Sequence, residues 1–431
     1  MVWADRGTRI RPIVLLHASL LLLVVSNLGR IPVLDLGERQ APLLISDLAV
    51  GCVVVGSLLA AIAKKSLRLD SVALMALLFA SIGGLSAVAA APRFGLTAFE
   101  VITSLAYLAR WLLYFALYVV VVNDVREKHV QGVWTTLESA MLLFAAFGVV
   151  QAIFLPDFAL MVYPDQVNLW DAQGHRLVST VLDPNVAAMM ILTVLLVQIA
   201  QLASGAKVAL WKPTLLLLAL IVTLSRSGVA GFFFGCLVIV AARWSGRISK
   251  RLIRFGLIAI VGVIAALPKL LQFADQYSKL GISDGSAAAR LITWQRAFST
   301  LWDSPWFGIG FNTYGFVQEH RGFERIGGVS YSAEGGLLFI AVMTGVIGLT
   351  VFVTMLWLLV KRCRAGWRDR QATPAERGLC IGVAAATVAV LVHSIFVNSL
   401  LVPFVMQPLW VLWGLVYVVR ARMRYAAAGA P

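Results

Sequence analysis

Apolar residues in this chain fall into long uninterrupted runs, and short polar stretches separate the runs. Most of the runs exceed about 18 residues, a length at which an α-helix crosses the hydrocarbon core of a bilayer. The weak alternating pattern of a membrane β-barrel is not found. The pattern therefore predicts an all-α polytopic membrane bundle of about 12 helices. The predicted spans are residues 12–29, 43–63, 70–91, 97–122, 133–155, 180–202, 209–224, 228–242, 252–268, 334–360, 379–397 and 403–419.

One long segment, residues 269–333, is not plainly apolar and is predicted to be a large loop. It is rich in arginine and aromatic residues, and residues 1–431 as a whole are expected to form a single integral membrane domain around it. Within the loop, apolar residues recur at helical spacing from Ala287 to Leu301, which predicts an amphipathic helix that stops before Pro305. Because loops on a rigid scaffold often carry function, we expect the site here.

Composition agrees with the hydrophobic pattern. Of the 431 residues, 60% are hydrophobic and only 13% are charged, whereas soluble proteins have about 25% charged residues. The first apolar run has a basic flank but no small-residue cleavage site followed by soluble sequence, so it is interpreted as a retained span rather than a signal peptide. The sequence therefore indicates a multi-pass integral membrane protein.

The net charge of +15 does not require a nucleic-acid partner. Lysine and arginine concentrate in every second connecting segment, as the positive-inside rule predicts for cytoplasmic loops. This distribution predicts that both termini are cytoplasmic and that the large loop is outside. No cysteine lies in a predicted outer loop and none has metal-ligand spacing, so neither a disulfide nor a metal site is predicted. The cysteines are Cys52, Cys236, Cys363 and Cys380.

Twelve of the 36 basic residues are exceptions to this distribution, and three of these arginines are candidates for function. Arg110 lies in the middle of a predicted span, where an arginine is costly and faces either a polar cavity or a structural partner, with Glu100 as a candidate partner. Arg226 falls in the Thr-Leu-Ser-Arg-Ser-Gly connection between two short spans, where anion binding and simple snorkelling are both open. Arg176 ends a predicted outer segment. Such outward-facing cations are candidates for binding an anionic substrate.

Other polar residues lie at the predicted outer ends of spans. Asp183 and Asn185 flank Pro184, a pattern that favours a helix start but also fits a broken helix end lining a polar cavity. His393 lies near the outer end of the eleventh predicted span and could complete a polar pocket. His320 lies in the large loop, where a lone histidine is often only solvated. Glu334 stands at the mouth of the tenth span, either as a favourable charge at a helix N-terminus or as part of a site.

Several motifs, in this order and spacing, resemble the O-antigen ligase/polymerase family of bacterial envelope glycosyltransferases. They are HRLVSTVLDPNVAA, TLSRSG, ARLITWQRAF followed by PWFGIGFNTY, and EGGLLFIAVMTGVIG, between Arg176 and Gly348. The resemblance implies a multi-pass protein of the bacterial inner membrane with a periplasmic site. It implies a donor glycan linked through pyrophosphate to a polyprenyl lipid, and an acceptor that is a glycan or the lipid A core. No cofactor and no metal are expected.

The resemblance and the residues together suggest roles. Arginine is suited to hold a pyrophosphate leaving group, and a carboxylate is suited to take the acceptor proton. Glu334, Arg226 and Arg290 are therefore the expected catalytic residues. The expected substrate-binding residues are Arg176, Asp183, Asn185, Arg110, His320 and His393, the two histidines being reserve bases.

The same resemblance bears on the product. Ligases of the family typically carry a histidine eleven residues before the glycine that corresponds to Gly345, and this chain has Glu334 there. The acid looks more like the polysaccharide polymerase branch, so a polymerase is expected. A ligase that attaches polymer to lipid A core is the alternative. A polyprenyl-lipid or polysaccharide transporter is the second alternative, but transporters often spread polar residues through the membrane midplane.

Overall fold

The structure is a computed structural model, and it describes residues 12–31, 43–162, 175–243, 254–256, 285–323 and 335–427. Helices dominate these residues, and within them the only strands are a two-residue antiparallel pair, Arg30–Ile31 with Leu43–Leu44. The helices are α1 (Pro12–Leu21), α2 (Ile45–Lys64), α3 (Ser71–Phe94), α4 (Ala98–Asp124), α5 (Glu127–Phe154), α6 (Phe158–Val162), α7 (Pro184–Ala203), α8 (Trp211–Val222), α9 (Arg226–Arg243), α10 (Gly285–Asp303), α11 (Tyr314–His320), α12 (Gly336–Trp367), α13 (Pro374–His393) and α14 (Pro403–Ala427).

The predicted all-α membrane fold is confirmed. In the described residues, nine helices are long and apolar enough to cross a membrane, namely α2 to α5, α7, α9 and α12 to α14. Two shorter apolar helices, α1 and α8, fall on the first and seventh predicted spans. The ninth predicted span, residues 252–268, lies outside the described residues apart from 254–256. The predicted amphipathic helix is α10, which ends at Asp303, just before Pro305.

The bundle is centred on helix α7. Residues of α7 are apolar on all sides and nearly all are buried, which is the pattern of a helix enclosed by others. Its neighbours are α5, α8, α9, α13 and α14. Helix α13 approaches most closely, because a side-chain carbon at Gly378 or Gly382 would overlap the backbone of Gln201 or Val197. Small residues at helix crossings allow such close packing in membranes.

Helix α12 is interrupted at Gly345, whose φ of 65° and ψ of −173° are not helical. The segment between α10 and α11 packs into this interruption. The backbone N–H of Ile309 donates to the carbonyl of Val342 at 3.0 Å. The next N–H of the segment, that of Gly310, donates to the carbonyl of Met343 at 2.9 Å. These bonds satisfy backbone groups that an interrupted helix would otherwise leave unpaired in an apolar interior.

The same segment also contacts α3. The backbone N–H of Phe311 donates to the carbonyl of Gly83 at 3.1 Å, and a side chain at Gly310 would overlap the backbone of Ala87. Gly83 lies about 16 Å along α3 from its last residue, at 1.5 Å per residue. Residues 308–314 are therefore a re-entrant segment inside the bundle, and the two glycines of this segment, Gly308 and Gly310, are required for close packing.

Candidate functional site

The polar residues of the site are organised by the hairpin between α8 and α9, residues 222–226, and we call this end of the bundle the hairpin face. Ser225 caps α9, since its Oγ accepts the backbone N–H of Gly228 at 3.1 Å. The same hydroxyl donates to Oδ1 of Asn185 at 2.8 Å. The hairpin is thereby joined to the first turn of α7.

Asp183 fixes the start of α7. Its Oδ1 accepts the backbone N–H of Asn185 at 2.7 Å and that of Val186 at 3.1 Å, with Pro184 at the first helical position. Burial raises the pKa of the Asp183 carboxyl, although these two donors and the charge of Arg176 act in the opposite direction. The helix-start interpretation is confirmed, and it places Asp183 and Asn185 at the hairpin face.

Arg176 lies against the same hairpin. Its Nε donates to the carbonyl of Thr223 at 3.0 Å, and the next residue, Leu177, donates its backbone N–H to the carbonyl of Val222 at 3.1 Å. The guanidinium is partly buried. Arg176 is thus held at the C-terminal end of α8, against the hairpin that leads to Arg226.

Arg226 is the first residue of α9, and its side chain is exposed. Within the described residues it has no hydrogen bond or ion pair. The free backbone N–H groups of a helix N-terminus attract anions, so helix and guanidinium present positive charge at one place. Together with Arg176, this arrangement can receive a phosphate group.

His393, the last residue of α13, is completely buried beside this cluster. Its Nδ1 lies 2.7 Å from Oγ of Ser399, and the ring faces the backbone of Asn185. Its Nε2 is buried and has no hydrogen-bond partner among the described residues. His393 therefore belongs with Asn185 and the hairpin, while Ser399 sets the orientation of the imidazole.

The first turn of α12 completes this end of the bundle. The backbone N–H of Gly336 donates to the carbonyl of Ser394 at 2.6 Å, one residue after His393. A methyl group at Gly335 would lie about 3.5 Å from Nε1 of Trp294 in α10, and the φ of 105° at Gly335 favours glycine. The start of α12 therefore lies between α10 and the connection that follows α13.

Two predicted catalytic residues adjoin this region in the sequence. Glu334 immediately precedes Gly335 and lies outside the described residues. Arg290 belongs to α10, one helical turn before Trp294, and its side chain also lies outside what the structure describes. The hairpin-face cluster of described side chains therefore consists of Arg176, Asp183, Asn185, Ser225, Arg226 and His393.

Residues 214–353 match the family model described as O-Antigen ligase. The matched stretch is 140 of the 431 residues, so the similarity to the O-antigen ligase family covers about a third of the chain. The match runs from α8 to the middle of α12, so it contains Arg226, Arg290, His320 and Glu334. No curated protein gives a significant match to the chain. The family is a bacterial membrane one, and the match together with the apolar helices supports a multi-pass membrane enzyme of the O-antigen ligase or polymerase type in polysaccharide assembly.

Arg110 connects α4 to α2. Its Nη2 pairs with Oδ2 of Asp47 at 3.0 Å, and the hydroxyl of Tyr114 donates to the other oxygen of Asp47 at 2.9 Å. Glu100 as the partner of Arg110 is wrong, because Glu100 caps its own helix and contacts His320 instead. Arg110 also lines a cavity of about 210 Å³ that reaches Asn398.

His320 is separate from the cluster. Its Nε2 lies 2.9 Å from Oε1 of Glu100, near the ends of α3 and α4. It borders a cavity of about 340 Å³ with Arg93, Asp303 and Arg321. The described contacts do not connect His320 to the hairpin. The side chain is exposed, as predicted, but it also has an acidic partner in Glu100.

Sequence reasoning missed Gln151, which supports the cluster from α5. Its Oε1 accepts the backbone N–H of Val178 at 3.0 Å and that of Ser179 at 3.2 Å. Its Nε2 lies 3.4 Å from the carbonyl of Arg176. A fully buried glutamine within an apolar span was the available signal, because a polar side chain there needs partners.

Proposed function

We propose that the protein transfers a glycan from a polyprenyl-pyrophosphate donor to an acceptor hydroxyl, with its site at the hairpin face and that face in the periplasm. The observation that supports this most is the gathering of Arg226, Arg176 and the N-terminus of α9 on one hairpin. A lipid-linked donor brings its pyrophosphate to the membrane boundary, where this hairpin would meet it. The large loop, residues 269–333, would cover the site within a single membrane domain, residues 1–431.

The leaving group needs the strongest stabilisation in this chemistry. As the bond between the sugar and the phosphate breaks, negative charge grows on the pyrophosphate, and fixed cations there lower the barrier. Arg226 would bind the pyrophosphate through two parallel N–H donors, a geometry that lysine lacks. Arg176 is restrained by its bond to Thr223 and would contribute a second charge. Arg290 would approach from α10.

The acceptor needs a base. Glu334 is joined directly to Gly335, which lies between Trp294 and the residues that follow His393. Arg290 is one turn from Trp294, so a carboxylate near Gly335 would have an arginine nearby to keep it ionised. His393 remains the reserve base, because its Nε2 has no described partner.

The proposed reaction is a displacement at the anomeric carbon of the donor sugar. The acceptor hydroxyl oxygen forms a bond to this carbon, and the bond from the carbon to the phosphate oxygen breaks. Its electron pair leaves with the polyprenyl pyrophosphate. The hydroxyl proton moves to Glu334. This scheme uses only side chains of the protein, the lipid-linked donor and the acceptor, and it involves no nucleotide sugar.

Two alternative acceptors define two versions of this reaction, a polymerase and a ligase. Glu334 at the position where ligases of the family keep histidine favours a polymerase, which extends a polysaccharide of the O-antigen or exopolysaccharide kind. The description of the matched domain, O-Antigen ligase, favours transfer to lipid A core. The deciding experiment gives the purified protein lipid-linked glycan with and without lipid A core. Longer lipid-linked chains support the polymerase, and glycan on the core supports the ligase. Transport across vesicles without any new glycosidic bond would contradict both and support a transporter.

A further inference from the structure

A second charged region lies at the end of the bundle opposite the hairpin. There α9, α12, α13 and the connection between α12 and α13 line an open cavity of about 620 Å³. Its lining includes the five arginines that define what we call the basic cavity: Arg243, Arg364, Arg368, Arg370 and Arg377. Arg243 ends the helix that Arg226 begins, about 26 Å away at 1.5 Å per residue. The basic cavity and the hairpin cluster therefore lie at opposite membrane boundaries.

The basic cavity is not neutralised by the protein residues that the structure describes. Asp369 is the acidic residue of the described lining, and its carboxylate is already engaged by Arg420 at 2.6 Å. Arg377 donates only to backbone carbonyls, those of Asp369 at 3.3 Å and Ala372 at 3.5 Å. The Nε of Arg377 is buried without a partner among the described residues.

The remaining four arginines of the basic cavity have no hydrogen bond or ion pair with described side chains. Neighbouring arginines differ in this respect, since Arg420 pairs with Asp369 and Arg422 pairs with Glu376 at 2.7 Å. The rule that orients membrane proteins accounts for basic residues on one side of the bilayer. It does not account for five of them around a single cavity, where like charges repel unless an anion lies between them.

The walls of the basic cavity indicate the kind of anion. Val238, Ala241 and Ile381 form an apolar wall that continues along α9 and α13 towards the membrane interior, and Trp367 also lines the cavity. Tryptophan is typical of the lipid headgroup level. Arginine clusters between membrane helices, with an apolar surface beside them, suit a phosphate that carries acyl chains.

We propose that the basic cavity binds the phosphate headgroup of an anionic membrane lipid. The guanidiniums of Arg243, Arg368 and Arg377 surround the phosphate, and an acyl chain lies along Val238 and Ile381. The three helices that would hold this lipid are α9, α12 and α13. At their other ends these helices carry Arg226, Gly335–Gly336 and His393, so the bound lipid joins the inner ends of the helices that form the candidate site.

The test measures lipid binding to the delipidated, purified full-length protein by native mass spectrometry during titration with phosphatidylglycerol. A basic residue near an anionic surface contributes about fivefold to binding. We expect Arg368→Gln to weaken binding about fivefold, and the pair Arg243→Gln with Arg368→Gln to weaken it about 25-fold. Lysine at the same two positions should recover most of the affinity. Arg424→Gln is the matched control, because Arg424 is exposed on the same face but lies outside the cavity lining, and it should change binding less than about twofold.

Separate arms distinguish the source of the phosphate. Phosphatidylcholine should bind much more weakly than phosphatidylglycerol, and inorganic phosphate in millimolar excess should not displace the bound lipid. Arg368 is exposed, so Arg368→Gln should fold normally, and wild-type affinity of this variant for phosphatidylglycerol would overturn the proposal. Three other results would overturn it too. An equal loss of lipid affinity in Arg424→Gln would indicate diffuse charge, and equal binding of phosphatidylcholine would indicate no headgroup selectivity. Displacement of the lipid by inorganic phosphate would indicate a site for soluble anions.

Discussion

Replacing Arg226 by lysine tests the part of the site that the structure defines best. The change keeps one positive charge at the N-terminus of α9 but removes the planar pair of donors. If the pyrophosphate is held by two parallel N–H···O bonds, losing one charge-assisted bond costs about 1.5–3 kcal/mol. When that bond forms in the transition state, the loss corresponds to roughly 10- to 150-fold in rate. Arg226→Gln loses the charge as well and should be slower still.

The structure also predicts that the folded state tolerates these changes. Arg226 is exposed and has no partner among the described residues, so its removal leaves no described polar group unsatisfied. Unfolding temperatures of both variants should match that of the wild type. The assay is single-turnover glycan transfer by purified protein in lipid nanodiscs. Arg93→Lys is the matched control, since Arg93 is an exposed arginine on the same face, outside the hairpin cluster, and should retain normal turnover. An Arg226→Lys enzyme within about twofold of wild type would refute the bidentate role.

The remaining predictions concern the base, the interrupted helix and the ion pair of Asp369. Glu334→Gln should slow transfer by about 10²–10⁴ while donor binding, measured by isothermal titration, stays intact; full activity would show that Glu334 is not the base. Gly345→Ala would force a side chain into the backbone of Trp306 and should lower the unfolding free energy by about 1–3 kcal/mol. Gly51→Ala is the control, because nothing lies near that position, and it should not lower the unfolding free energy. Equal effects of the two changes on thermal unfolding would argue against the re-entrant packing. The backbone N–H of Gln371 and the guanidinium of Arg420 hold the pKa of Asp369 below its ordinary value, so its stabilisation is present above about pH 4 and is lost as the pH falls through the lowered pKa. The difference in unfolding temperature between wild type and Asp369→Asn should therefore shrink below about pH 4, and a difference that grows there would contradict the pairing.

The helices could be predicted from the sequence because lipid imposes a simple rule on the backbone. In hydrocarbon every N–H and C=O needs an internal partner, so a long apolar run must be a helix. Local signals fixed some ends as well, such as Asp183 and Pro184 before α7. The position of Arg226 at a tight connection also followed from local spacing, since two short apolar runs leave little chain between them.

The features that were missed depend on contacts between distant parts of the chain. Nothing near Gly345 shows that Ile309 and Gly310 will supply hydrogen bonds to α12, so the run read as one continuous helix. The pairing of Arg110 with Asp47 joins α4 to α2, and sequence proximity pointed instead to Glu100. Gln151 supports Arg176 across 25 residues of chain. Apolar periodicity carries no information about such partners, which tertiary packing selects.

The central claim is that the protein itself forms a glycosidic bond at the expense of a lipid pyrophosphate linkage. The most direct measurement gives purified protein in nanodiscs a polyprenyl-pyrophosphate-linked glycan and an acceptor, without nucleotide sugar, and quantifies both products by mass spectrometry. The account predicts equal amounts of free polyprenyl pyrophosphate and new glycosidic bond, with both lost together in Arg226→Gln. Correctly folded protein that yields neither product, or that moves the intact donor across the membrane without cleaving it, would contradict the account.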